Sequence, residues 1–141
     1  MTPEQIELVQ RAWGRVTALN NTYVQEVYTE LFRLSPDLIN LFPDPAGMPV
    51  TKVSETLNTV ITSLEQLDAL GFIIRDLGRR HRQFSVQSHQ FGLLKQALTL
   101  VLARRLGEHF TPALSDAWSQ MYDEIAALML EGLGQHTPSA V

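Results

Sequence analysis

The chain has 141 residues, of which 45% are hydrophobic, 18% are charged and 8% are aromatic. This composition is typical of one globular domain and excludes disordered and fibrous classes. Fifteen acidic residues against eleven lysines and arginines give a net charge of −4, which argues against nucleic acid or an anionic membrane as the partner.

The sequence has no cysteine, which excludes disulfides, thiol catalysis and cysteine-bound metal centres. A secretory signal has a basic segment followed by an apolar one, and the first residues of this chain do not show that pattern. No run approaches the roughly 18 apolar residues of a membrane span. We therefore expect a cytoplasmic protein that does not span a membrane.

The first third of the chain predicts two helices and a short helical turn. Thr2 and Pro3 supply a start signal for the first helix, and Ser35 with Pro36 restarts the chain after the second. Steps of three and four separate the apolar residues of the first stripe, Ile6, Val9, Trp13 and Val16. The second stripe is Val24, Val27, Tyr28 and Leu31.

A proline-rich loop, residues 43–49, precedes a long predicted helix. The apolar stripe of this helix is Val50, Val53, Leu57, Val60, Ile61 and Leu64. A following stripe runs through Leu70, Ile73, Leu77 and His81. It predicts that these side chains face the apolar interior, so that the imidazole of His81 does too.

Two further helices follow a bend near residues 84–88. Gly107 closes the first, and Thr111 with Pro112 opens the second. Their stripes are Phe91, Leu94, Leu98, Val101 and Leu102, then Leu114, Trp118, Tyr122, Ile125 and Met129. No strand pattern is present, so we predict an all-α fold of six main helices plus short turns, with residues 1–132 as the domain and 133–141 as a frayed tail.

Catalytic motifs are missing from this sequence. The four histidines are not paired at a spacing of three or four, and zinc-hydrolase, nucleophile-elbow and phosphate-loop motifs do not occur. His81 lies in a basic run, residues 79–82, which suits an anionic cofactor with an apolar body. The alternative interpretation is that His81 is an ordinary core histidine and that the arginines form a basic helix end. Tyr28 and Phe42 are equally compatible with ordinary core positions.

The combination of these residues is more specific than its parts. Phe42 and His81 are 39 positions apart, as in a globin with a short connecting loop. The other matching pieces are Trp13, Leu41, Leu77 to Arg80, Val86, Leu106 with Gly107, Phe110 to Pro112, Ala117 with Trp118, and Tyr122. Over residues 3–131 the chain resembles a globin, and most of all the bacterial single-domain haemoglobins related to the flavohaemoglobin haem domain.

The resemblance implies that haem b is the cofactor and that His81 is its iron ligand. Phe42 corresponds to the phenylalanine that packs on the porphyrin, and Tyr28 to the distal tyrosine that donates a hydrogen bond to a bound gas. Lys52 is implied at the pocket mouth, beside a haem propionate or as an occasional iron ligand. The remaining implied pocket residues are Val53, Leu57, Leu77, Val86 and Phe91.

The chain also departs from the family pattern. The family usually has glutamine or histidine at the gate of the gas-binding side of the pocket, 32 positions before the iron ligand. This chain has Pro49 there, or Met48 or Val50 if the loop alignment shifts by one residue, and none of these side chains can donate a hydrogen bond. On the proximal side, Phe91 and Leu133 stand where related domains carry a tyrosine and a glutamate that activate the histidine. Glu131 is close by in sequence but out of register.

The resemblance implies reversible binding of dioxygen, nitric oxide or carbon monoxide. Nitric oxide dioxygenation would use an external reductase, because the chain ends near residue 141 without one. The first alternative is a haem-based gas sensor that acts through a partner protein. The second is a globin-fold interaction module without haem.

Overall fold

The computed structural model describes residues 1–18, 22–41, 50–80 and 88–134. Six α-helices form the described part, as predicted, and no strand occurs within it. The helices are α1 (Pro3–Thr17), α2 (Thr22–Leu34), α3 (Val50–Thr62), α4 (Leu67–Arg80), α5 (Ser88–Leu106) and α6 (Pro112–Gly132). Short 3-10 turns span Pro36–Leu41, Leu64–Gln66 and Gly107–His109. No helix in the described ranges is long and apolar enough to cross a membrane.

Local start and stop signals fix the ends of several helices. The Thr2 hydroxyl accepts a hydrogen bond from the Gln5 backbone at 3.1 Å, and the Gln5 side chain accepts one from the Thr2 backbone at 2.9 Å. Gly107 has a φ of 55°, a left-handed conformation that ends α5. The Thr111 hydroxyl accepts from the Leu114 backbone at 3.2 Å and begins α6. These three predicted boundaries are confirmed.

The main core lies where α1, α2, α5 and α6 meet. Trp13 of α1 stacks on Trp118 of α6, with ring centroids 6.1 Å apart, and both rings are almost fully buried. All four members of the predicted α2 stripe are buried in this core. On α6 the buried set differs from the predicted stripe and is Leu114, Ala117, Trp118, Met121 and Leu130.

The stripe predicted for α4 is only partly buried, with Ile73 exposed and His81 outside the described residues. The residues that α4 buries are Gly71, Ile74 and Gly78, while Ile73 remains 48% exposed and Leu70 and Leu77 are half-buried. The reason is backbone contact with α6. A Cβ atom added at Gly78 would lie 2.1 Å from the Met129 carbonyl oxygen, and one added at Gly132 would lie 1.8 Å from the Arg75 carbonyl oxygen.

Leu133 is buried although it follows the last residue of α6. It is 7% exposed and packs in a cluster with Phe91 and Leu130. Apolar packing therefore extends at least to this residue, and the division of the chain at residue 132 stays a prediction. Residues 135–141 lie outside the described part.

The glycine contact gives the first testable prediction. Gly78→Ala and Gly132→Ala are expected to lower the free energy of unfolding by about 1–3 kcal/mol, because the added methyl group has no space between the helices. The matched controls are Gly14→Ala and Gly92→Ala, where nothing lies within 4 Å of the added atom. These controls are expected to raise the same quantity by about 0.5–1 kcal/mol. Equal denaturant midpoints for the four variants would contradict the close crossing.

Candidate functional site

Five of the predicted site residues lie in the described part of the chain: Tyr28, Val53, Leu57, Leu77 and Phe91. Phe42, His81 and Val86 fall outside it, as do Met48, Pro49 and the side chain of Lys52. The roles assigned to these residues stay predictions. Within the described ranges, no three histidine or acidic side chains lie close enough together to hold a metal ion.

Tyr28 places a phenol inside the apolar core. Tyr28 is 8% exposed, and its ring packs on the Phe32 ring with centroids 6.0 Å apart and an angle of 22° between the planes. Burial raises the pKa of the Tyr28 hydroxyl above its ordinary value. The group is therefore neutral at physiological pH and keeps a proton that it can donate.

The α3 helix contributes an apolar face beside α2. Val53 and Leu57, one turn apart, are half-buried and pack against the same core that contains Tyr28. The described residues leave both side chains only partly covered. This face can therefore contact a further apolar body without losing its present packing.

The C-terminal end of α4 combines a half-buried apolar residue with exposed charges. Leu77 is half-buried, whereas the side chains of Arg79 and Arg80 are 61% and 60% exposed. Both arginines pair with Asp76, and the hydrogen bond from Arg79 is the main reason that the pKa of Asp76 is lowered. One carboxylate thus balances one of the two positive charges.

Phe91 lies in a second apolar cluster, separate from the main core. It is 8% exposed and packs with Leu130 and Leu133, while the Tyr122 hydroxyl donates to the Phe91 carbonyl oxygen at 2.7 Å. Burial raises the pKa of Tyr122, which keeps this donor protonated. Glu131 does not join the cluster, because its half-exposed side chain accepts from Arg75 Nε at 2.6 Å.

In chemical character, the described residues suit an apolar cofactor that carries acidic groups, such as haem. The core side of the site offers a buried neutral hydroxyl from Tyr28 and the partly covered face of Val53 and Leu57. On α4, Leu77 is also partly covered, and Arg79 and Arg80 supply positive charge near the helix end. Apolar walls with a few polar groups are typical of cofactor sites.

The comparisons with known proteins agree with this fit. The family model for globins matches residues 25–129. Neuroglobin of Tetraodon nigroviridis is 28% identical over 140 residues, covering 89% of this chain and 88% of the relative. Neuroglobin-1 of Oncorhynchus mykiss is 27% identical over 146 residues, covering 94% and 92%. Neuroglobin of Danio rerio is 30% identical over 139 residues, covering 89% and 87%.

The helical architecture and these matches define a class, an all-α protein of the type that binds haem and diatomic gases. The chain belongs to the globin family. Its named relatives are fish neuroglobins, so the finer resemblance to bacterial single-domain haemoglobins is not confirmed.

Two contacts near the predicted site residues do not follow from the sequence pattern: the hydrogen bond between Tyr122 and Phe91 and the close crossing of α4 and α6. The apolar stripe indicated that Tyr122 is partly buried, but nothing in the sequence identified the Phe91 carbonyl as its partner. The close approach of α4 and α6 was missed because glycine carries no hydropathy signal. A glycine on each of two long helices was the only available hint.

The cluster around Leu133 gives a prediction about charge. Leu133→Gln is expected to lower the free energy of unfolding by about 2 kcal/mol at every pH, because it loses apolar burial. Leu133→Glu should match Leu133→Gln near pH 4, where the acid is neutral. Burial raises the pKa of the new carboxyl in the folded state, so stability falls as pH rises from its unfolded value of about 4.3 toward the raised one.

The measurement is chemical unfolding of both variants at pH 4 and pH 8. We expect Leu133→Glu to lose a further 1–3 kcal/mol, roughly, relative to Leu133→Gln at the higher pH. If the difference between the variants is the same at both pH values, position 133 is open to solvent and the apolar cluster is incorrectly described.

Proposed function

We propose that this globin binds one haem b per chain and reversibly binds dioxygen, nitric oxide or carbon monoxide. The observation that carries the proposal is the neutral, buried hydroxyl of Tyr28, which packs in the same core as Val53 and Leu57. A neutral phenol keeps its proton and can donate it to a bound ligand. Together with the globin family match, this supports a haem protein over a haem-free interaction module.

The residues proposed to hold the haem come from both sides of the site. His81 is the iron ligand, Phe42 packs on the porphyrin, and Lys52 pairs with a propionate. The remaining contacts come from Val53, Leu57, Leu77, Val86 and Phe91. When bound, haem supplies an iron centre with one open position for a diatomic gas.

Tyr28 is proposed to select among gases by donating its proton to the ligand. Dioxygen draws negative charge as it binds and therefore accepts a hydrogen bond more strongly than carbon monoxide does. Pro49 has no donor to share this task. Val53 and Leu57 exclude water from the same position, which protects the iron from oxidation.

Nitric oxide dioxygenation is proposed as an additional activity. Each nitric oxide, together with one dioxygen and one electron, gives one nitrate ion, so sustained turnover requires an electron donor. We propose an external reductase for this role. The apolar pair Phe91 and Leu133 argues against peroxidase-like activation, because neither side chain can form a hydrogen bond with the proposed histidine ligand.

A cytoplasmic bacterial-type haemoglobin remains our proposal for the particular kind of globin, because Tyr28 matches the distal tyrosine of that group. A gas sensor acting through a partner protein is the second candidate. Phe72, which is 70% exposed, and Ile73, which is 48% exposed, are adjacent on α4 and support a partner surface.

The iron ligand is tested by His81→Ala. We expect the purified variant to lose tight haem binding, seen as loss of the intense Soret absorption band, because no other residue is proposed to bind the iron firmly. His89→Ala is the matched control, since His89 is exposed on α5. An unchanged absorption spectrum in His81→Ala would refute the assignment.

The role of Tyr28 is tested by Tyr28→Phe, which removes one oxygen atom. A hydrogen bond worth about 1–3 kcal/mol corresponds to dioxygen release that is faster by about 5- to 150-fold. Carbon monoxide release, measured in the same flash-photolysis or stopped-flow series, should change little. Equal effects on both gases would mean that Tyr28 acts through its shape.

A further inference from the structure

Three side-chain hydrogen bonds attach α3 to the helices behind it. The Tyr23 hydroxyl lies 3.0 Å from Ser54 Oγ, the Trp13 indole donates to Asn58 Oδ1 at 3.2 Å, and the Gln10 amide donates to the Ile61 carbonyl at 3.1 Å. Positions 54, 58 and 61 follow one another at helical spacing. One stripe of α3 is thus held by hydrogen bonds, next to the apolar face of Val53 and Leu57.

Among these three anchors, Tyr23 is the residue that lies on α2. Its residue is 2% exposed, and its ring meets the Trp13 ring edge-on, with centroids 5.1 Å apart and planes at 80°. Trp13 in turn stacks on Trp118. The ring of Tyr23 therefore cannot move without disturbing the centre of the core, so its hydroxyl is a fixed point for α3.

We propose that Tyr23 is a positioning residue for gas binding, because its bond to Ser54 fixes α3 relative to the helix that carries Tyr28. This inference rests on the proposed function. Tyr23 and Tyr28 share the rigid helix α2, five residues apart, and Ser54 directly follows Val53 on α3. One hydroxyl pair thus sets the separation between the donor Tyr28 and the apolar residue Val53.

The hydrogen bond can be removed without removing the aromatic contact beside it. Tyr23→Phe keeps the ring and its contact with Trp13 and deletes only the hydroxyl. A buried neutral hydrogen bond has a net value that corresponds to about 2- to 10-fold in an equilibrium or a rate. Loss of the bond allows α3 to shift, which changes where Val53 lies relative to Tyr28.

The experiment compares Tyr23→Phe, Ser54→Ala and the double variant, each loaded with haem. The readouts are the infrared stretching frequency of bound carbon monoxide and the rate of dioxygen release. We expect each single variant to shift or split the infrared band and to change dioxygen release by about 2- to 10-fold. The double variant should equal either single variant, because both remove the same bond. Ser54→Thr, which keeps a hydroxyl, should restore the original values.

Thr17→Val is the matched control. It also deletes a partly buried hydroxyl, but the partner of that hydroxyl is the Trp13 carbonyl within α1. We expect it to leave both ligand readouts unchanged. If Tyr23→Phe behaves in the same way, or if the two α2–α3 variants have additive effects, the positioning role is refuted.

A second measurement separates this inference from the proposed function. Hydrogen exchange of the α3 amides, measured on the purified chain whatever its haem content, should accelerate in Tyr23→Phe and Ser54→Ala but not in Thr17→Val. A chain that binds no haem would refute the proposed function and leave this result unaffected. Unchanged exchange in α3 would overturn the inference even if haem binds.

Discussion

The backbone contact between α4 and α6 is the constraint on which the arrangement of the site depends. Gly78 lies against the Met129 carbonyl, and Gly132 lies against the Arg75 carbonyl, so that each helix uses a glycine to admit the backbone of the other. No side chain separates them, and α4 therefore has little freedom to slide or rotate. The last described residue of α4 is Arg80, one residue before the proposed iron ligand.

The two sides of the site differ in character. At the end of α6, Leu130 and Leu133 pack with Phe91 in an apolar cluster, and the Tyr122 hydroxyl there is bonded to the Phe91 carbonyl. The other side is built from α2 and α3 and contains hydroxyl groups. The α2 helix is fixed from outside as well, since Glu30, 9% exposed, accepts hydrogen bonds from Arg33 at 2.8 Å and Arg104 at 2.9 Å.

Local sequence patterns predicted much of the fold because they act within one helix. The capping residues Thr2 and Thr111 and the stop at Gly107 determine helix ends through neighbouring backbone groups, and all three were predicted correctly. The burial of the α2 stripe, including Tyr28, followed from its spacing. The face that α4 turns toward α6 did not, because Gly78, which contacts the α6 backbone, adds no side chain to a hydropathy pattern.

The candidate site was less predictable because it depends on how helices cross. Tyr23 and Ser54 are 31 positions apart, as are Phe91 and Tyr122, and neither pair follows from a local pattern. A polar residue within an apolar stripe indicates burial, but its partner is known only once the helices are packed. Leu133 shows the same limit, since a glycine next to it suggested the end of the domain.

Haem binding is tested most directly by a titration of haem into the purified haem-free chain. The Soret absorbance of the bound haem should rise linearly and level off at one haem per chain, and carbon monoxide should then shift the spectrum of the reduced sample. A titration without an end point, or a spectrum identical to that of free haem, would contradict the account.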